Sequence, residues 1–224
     1  MASTREQLFE AIESDHVEEV RRLVTEDPSL ANARDDHGVS ALMRARYRMN
    51  LGLVDAIKDR VAELDVFEAA TFGDLDRLTT LLDAEPALVT SYSGDGFTPL
   101  HFAAFFGRPE AAALLIARGA QVDALGRGFM TGTALHSAAA ASHADIVRML
   151  VDAGAEPNLR QSGGGTPLHA AAANADVASV EALLEHGADP SLTTEDGRSI
   201  LRLAEERGDQ ATVERIRAAL QAAP

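Results

Sequence analysis

The chain repeats itself. "TPLHFAAFFGRPE" (98–110), "TALHSAAAASHAD" (133–145) and "TPLHAAAANADVA" (166–178) are three versions of one phrase. With the residue before the histidine as register mark, the equivalent positions are Leu8, Leu42, Val66, Leu100, Leu135, Leu168 and Leu201. They are spaced 34, 24, 34, 35, 33 and 33 residues apart. A period near 33 marks a supersecondary unit that cannot bury its apolar side alone and does so by stacking on its neighbours.

Residues 163–190 show the grammar of one repeat. Thr166 is placed to cap a helix, with Pro167 at the first helical position, where its missing N–H costs nothing. Leu168, Ala171 and Ala172 form the packed side of a short helix. The longer helix after it carries Val177, Val180, Leu183 and Leu184 at helical spacing. Gly187 is suited to end it with a positive φ, and Asp196-Gly197 to turn the chain back. Composition agrees with closely stacked helices. Hydrophobic residues make up 46% of the chain but 42 of them are alanine, and aromatics are only 4% with no tryptophan.

The phrases "DGFTPLHFAAFFG", "TALHSAAAAS" and "GGTPLHAAAANA", with the endings "LLIARGAQVDA", "LVDAGAEPNL" and "LLEHGADPSL", resemble ankyrin repeats. The resemblance is specific over 94–206 and weaker, though in register, over 4–93. It implies an all-α solenoid of about seven helix-turn-helix repeats with short β-hairpin fingers. The whole of 1–224 reads as a single domain, of the stand-alone bacterial type. Its repeats are 4–35 (N-terminal cap), 36–62, 63–92, 93–127, 128–160, 161–193 and 194–224 (C-terminal cap).

Four departures from the pattern carry expectations. The 24-residue interval predicts that the finger between repeats two and three is missing or reduced to a tight turn. Asp27-Pro28 and Glu85-Pro86 replace Gly-Ala as helix stops. "GRGFMTG" (126–132) lengthens one finger by two residues. Repeat two carries Arg44, Arg46 and Arg48, expected to form a basic spot, although Arg46 could equally pair with a carboxylate such as Glu68.

The formal net charge of −15 makes nucleic acid and anionic membranes poor partners. The absence of cysteine excludes disulfides, thiolate catalysis and Cys-ligated zinc. The N-terminus lacks the apolar run of a signal peptide, and clusters such as "AAALLIA" (111–117) are too short to span a bilayer, so a cytoplasmic location is expected. Polar outer faces on the terminal repeats favour a monomer.

Catalytic chemistry finds no foothold. His101, His136 and His169 recur one repeat apart and do not converge on one ion. The resemblance implies that they, with Thr98, Thr133 and Thr166, are structural. "SGGGT" (162–166) lacks the lysine of a phosphate loop. No enzyme activity, metal or cofactor is expected.

Phe105 and Phe106 stand where the sister repeats have Ala140-Ala141 and Ala173-Asn174. The resemblance implies that the residues just before the helix break and at the finger tips line a concave, partner-binding face. Carried over, the binding set is Tyr47, Arg48, Phe72, Asp95, Phe97, Phe105, Phe106, Phe129 and Met130. Clustered exposed aromatics would mark an interaction site, but aromatics at helical spacing are also common in cores. The expected function is a non-catalytic module that binds a protein or peptide, as adaptor, regulator or inhibitor. The alternatives are a small-ligand or metal binder (or enzyme) using the histidine ladder, and a structural unit that self-associates through the aromatic patch.

Overall fold

The computed structural model of the protein describes residues 3–128 and 131–222. Among these, fourteen α-helices run in pairs: α1 (Thr4–Glu13) and α2 (Val17–Glu26), α3 (Ala41–Tyr47) and α4 (Leu51–Lys58), α5 (Val66–Phe72) and α6 (Leu75–Ala84), α7 (Pro99–Phe105) and α8 (Pro109–Ala117), α9 (Ala134–Ala140) and α10 (Ala144–Asp152), α11 (Pro167–Ala173) and α12 (Val177–Glu185), α13 (Ile200–Arg207) and α14 (Gln210–Ala222). The chain divides into two compact units. The N-terminal unit is Met1–Glu68 with Ser93–Asp95, and the C-terminal unit is Ala69–Tyr92 with Gly96–Pro224, so the division falls within α5.

Within each unit, first helices pack on first helices and second helices on second helices. In the N-terminal unit α1 meets α3 and α2 meets α4. In the C-terminal unit α7, α9, α11 and α13 form one row and α6, α8, α10, α12 and α14 the other. Alanine makes the first row possible. Ala103-Ala104, Ala138-Ala139 and Ala171-Ala172 are all fully buried, and their small side chains let successive helices approach closely. Leu100, Leu135 and Leu168, with Leu115, Ile146, Leu150 and Leu183 of the second row, supply the apolar bulk.

Every repeat turns from its first helix to its second through one residue with positive φ. These are Asp15, Met49, Gly73, Gly107, Ser142, Ala175 and Gly208. Their spacing is the 34, 24, 34, 35, 33, 33 series of the sequence register. Three of the seven are glycine, which enters this region without steric penalty; for the other four it costs about 1–2 kcal/mol.

The next repeat fastens many of these breaks. Arg108 Nε donates to the Thr71 carbonyl (2.9 Å), His143 Nε2 to that of Phe105 (3.2 Å), and Asn174 Nδ2 to those of Ala139 (3.2 Å) and Ala140 (2.8 Å). These bonds satisfy carbonyls left free at the helix ends.

The prolines stop α2 and α6 as expected, but each then starts a 3-10 helix, Pro28–Asn32 and Pro86–Thr90. The expected β-hairpin fingers are reduced to turns. Two isolated antiparallel bridges, Arg34 with Ser40 and Thr193 with Ser199, stand in for strands among the described residues. Between α4 and α5 only residues 59–65 intervene, so the finger of repeat three is absent. The finger at 93–95 therefore rests on that of repeat two, inside the N-terminal unit.

Candidate functional site

The histidines occupy structural positions. In α7, the Thr98 N–H (3.3 Å) and hydroxyl (2.7 Å) both meet His101 Nδ1, while His101 Nε2 donates to the Gly132 carbonyl (3.0 Å). Thr133 and His136 repeat the arrangement, with Nε2 3.3 Å from the Gly165 carbonyl. Thr166 and His169 repeat the cap at 3.1 and 2.8 Å. Each is a capping box with histidine in place of glutamate. In His101 and His136 the carbonyl acceptor fixes the proton on Nε2, so the ring is neutral and Nδ1 accepts. Burial lowers the pKa of all three, that of His136 to about 4. In His101 and His136 both ring nitrogens are engaged within the fold, which leaves no lone pair for an ion. Among the described residues no group of three or more His, Asp or Glu side chains could hold a metal.

Repeat three solves the same capping problem with acids, one residue out of register. Asp65 Oδ1 accepts from the N–H groups of Phe67 (2.9 Å) and Glu68 (2.8 Å), and Glu68 Oε2 accepts from the Asp65 N–H (2.9 Å). Glu68 Oε1 accepts from the Ser40 hydroxyl (2.5 Å), which joins the start of α5 to the start of α3. Glu68 is 3% exposed, and burial raises its pKa.

The expected binding residues separate on inspection. Tyr47, Arg48 and Asp95 belong to the N-terminal unit. The half-buried Tyr47 hydroxyl donates to Asp95 Oδ2, and Ser93 Oγ donates to Asp95 Oδ1 (2.5 Å). Burial, then the bond to Asp95, pushes the Tyr47 phenol up. Arg48 is paired with Asp15, and Arg44 with Asp35. The expected basic spot is thus largely neutralised: two of its three arginines bridge to carboxylates.

Phe72, Phe97, Phe105 and Phe106 belong to the C-terminal unit. Phe97 is half-buried, its ring 5.6 Å from His101 and 6.1 Å from Phe102 between centroids, and so lies against α7. Phe72 is half-buried. Phe105 and Phe106 stand edge to face at 5.1 Å, but their environments differ: Phe105 is 40% exposed and Phe106 6%. Phe106 is therefore a core residue and not part of an exposed patch, because the turn at the end of α7 sends adjacent side chains in different directions. Phe129 and Met130 lie outside the described residues.

Sequence reasoning missed one contact nearby. The Arg127 guanidinium sits 3.6 Å from the Tyr92 ring centroid, and the Arg127 N–H donates to the Gly96 carbonyl (2.8 Å). This joins successive fingers within the C-terminal unit. The Gly96 and Gly126-Arg127-Gly128 turns were the available signal.

The geometry defines a helical repeat scaffold: capped first helices, left-handed breaks and fingers joined by backbone contacts. The chain belongs to the ankyrin repeat family. The family's three-copy repeat model matches residues 66–161, and the single-repeat model matches 163–195. Similar proteins include a probable E3 ubiquitin-protein ligase, XBOS31, of Oryza sativa subsp. japonica, 41% identical over 96 residues, or 42% of this chain and 21% of the relative. The putative palmitoyltransferase ZDHHC13 of Danio rerio is 34% identical over 100 residues, 45% of this chain and 15% of the relative. The chain thus matches about a fifth or less of each relative's length. Ankyrin repeats indicate protein–protein interaction. Among the described residues no helix is long and apolar enough to cross a membrane.

Proposed function

We propose that the chain is a non-catalytic binding module that grips a protein or peptide with Phe105 as its apolar anchor, acting as an adaptor or inhibitor. One observation carries the reading. Phe105 is a large exposed ring on a scaffold that holds it still, with its carbonyl bonded to His143 and its ring braced edge-on by the buried Phe106. An aromatic side chain fixed before binding loses little conformational freedom on contact, the property of an interface hot spot. Ala140 occupies the same place in the next repeat. From the relatives this reading takes the repeat, not the enzymatic activity in their names. The high negative charge and the polar outer faces of α1 and α14 support a monomer in an aqueous compartment.

Affinity capture from the source cells tests it, with wild type and Phe105→Ala as parallel baits. A partner retained by wild type and lost by the folded variant supports the reading. Equal recovery of that partner by both baits removes Phe105 from the interface.

A further inference from the structure

Second helices of successive repeats are tied together at one fixed place. A cation eleven places after the left-handed residue of one repeat reaches back to the residue ten places after that of the repeat before. In the C-terminal unit Arg118 Nη1 meets Asp83 Oδ1 at 2.6 Å, and His186 Nε2 meets Asp152 Oδ1 at 2.9 Å. In the N-terminal unit the same two places hold Arg60 and Thr25. Arg60 Nη2 donates to Thr25 Oγ1 (3.0 Å), and Arg60 Nη1 to the Ala56 carbonyl (3.4 Å), both neutral acceptors. The junction of repeats one and two thus keeps the cation of its sisters and lacks their anion.

Nearby acids do not fill the place. Glu18 bridges to Arg21 (3.7 Å), Glu19 and Glu26 bridge to Arg22 (2.6 and 2.7 Å), and Asp27 accepts from the Ser29 N–H (3.0 Å). Asp59 adjoins Arg60 in the chain and makes no ion pair with it among the described residues. Thr25 itself is exposed in the last turn of α2, where its hydroxyl donates to the Arg21 carbonyl (2.7 Å). Arg21 and Arg22 stand one turn before it, also exposed. Their bridges are surface pairs, which are weak and open to exchange with another carboxylate.

We infer that Thr25 is a phosphorylation site, whose phosphate supplies the missing anion and ties repeat one to repeat two through Arg60. Thr25 Oγ1 attacks the γ-phosphorus of a nucleoside triphosphate held by a protein kinase. The Oγ1–P bond forms and the bond from that phosphorus to the bridging oxygen breaks. The nucleoside diphosphate leaves, and the hydroxyl proton passes to the kinase's base. Arg21 and Arg22 give the site a basic approach that suits an acidic substrate groove. The bond to the Arg21 carbonyl is lost, and phosphate oxygens accept from the Arg60 guanidinium in a charge-assisted pair. The negative end of α2 opposes the phosphate, but a guanidinium in direct contact outweighs it.

The full chain and its Arg60→Gln variant are incubated with a purified basophilic serine/threonine kinase and ATP, and the products are mapped by mass spectrometry. The expected result is phosphate on Thr25 in both. Hydrogen exchange then reads the tie. Phosphorylation should slow exchange over α2 at least about fivefold in wild type and leave that of Arg60→Gln unchanged. Thr25→Asp tests the tie without a kinase, because it recreates the aspartate of the sister junctions. It should slow the same amides, and the effect should vanish when Arg60→Gln is added. No phosphate on Thr25 would overturn the assignment. So would equal slowing with and without Arg60 once position 25 carries phosphate or aspartate.

Discussion

Replacing Gly94 with alanine puts a methyl carbon where another part of the backbone already lies. An ideal Cβ on Gly94 falls 1.8 Å from the His37 carbonyl oxygen and 2.9 Å from its carbon. Non-bonded carbon and oxygen require more than about 3 Å, so the two fingers must part by over about 1 Å. Asp95 would move with Gly94, straining its bonds from Tyr47 and Ser93. Overpacking of this kind costs roughly 1–3 kcal/mol, and a weakened bond to a charged acceptor about 1 kcal/mol more, giving about 2–4 kcal/mol. Gly38, on the opposite finger, is the control. Its Cβ would meet nothing closer than 3.9 Å, but its φ is +81°, so Gly38→Ala should cost only about 1–2 kcal/mol. Urea unfolding monitored by circular dichroism measures both, with amide exchange at His37 and Gly38 locating the damage. Gly94→Ala within about 0.5 kcal/mol of wild type would refute the reasoning, and with it the claim that the missing third finger lets its neighbours touch.

Gly107→Ala should destabilise by about 2–4 kcal/mol, because its Cβ would lie 2.5 Å from His143 Cε1 and its φ is +64°; a thermal melt checks this. Ala175→Gly, at φ +56°, should stabilise by about 1 kcal/mol in urea unfolding, since glycine removes the left-handed penalty. The buried histidines make stability fall with acid. Their folded pKa values lie below the ordinary value, so the unfolded state binds protons first as pH drops. The loss should begin near pH 6.5 and, for His136, continue to about pH 4 at up to about 1.4 kcal/mol per pH unit. Urea midpoints across that window should show a smaller decline in His136→Gln. Phe106→Ala should cost about 3–5 kcal/mol and Phe105→Ala under about 1 kcal/mol in parallel melts, in line with their burial.

Much of the fold was legible because ankyrin chemistry recurs at fixed spacing. The seven left-handed breaks follow the spacing of the register through Leu8 to Leu201, but the sequence reading named no such break at Asp15 or Met49, where no glycine marks them. The short interval before Val66 correctly removed a finger. The sequence register slipped by one at the start of α5, where an Asp65–Glu68 cap replaces Thr and His. A spacing count cannot see a shift that hydrogen bonds decide. The 3-10 helices after Asp27 and Glu85 were also unforeseen, since proline marks where a helix stops but does not dictate the conformation of the next few residues. The binding set was the least legible part. Phe105 and Phe106 are identical letters in adjacent places, and only the direction of the turn after α7 separates a surface ring from a core ring. Arginines 44 and 48 looked like a basic spot because Asp35 and Asp15, which neutralise them, are 9 and 33 residues away.

The central claim is that this scaffold presents Phe105 to a protein partner. The most direct measurement puts a photo-crosslinking phenylalanine analogue at position 105 in the source cells, with the same analogue at the exposed position 181 as reference. The account predicts a discrete adduct with one partner from position 105 and none from position 181. No adduct at 105, or the same adducts from both positions, would contradict it.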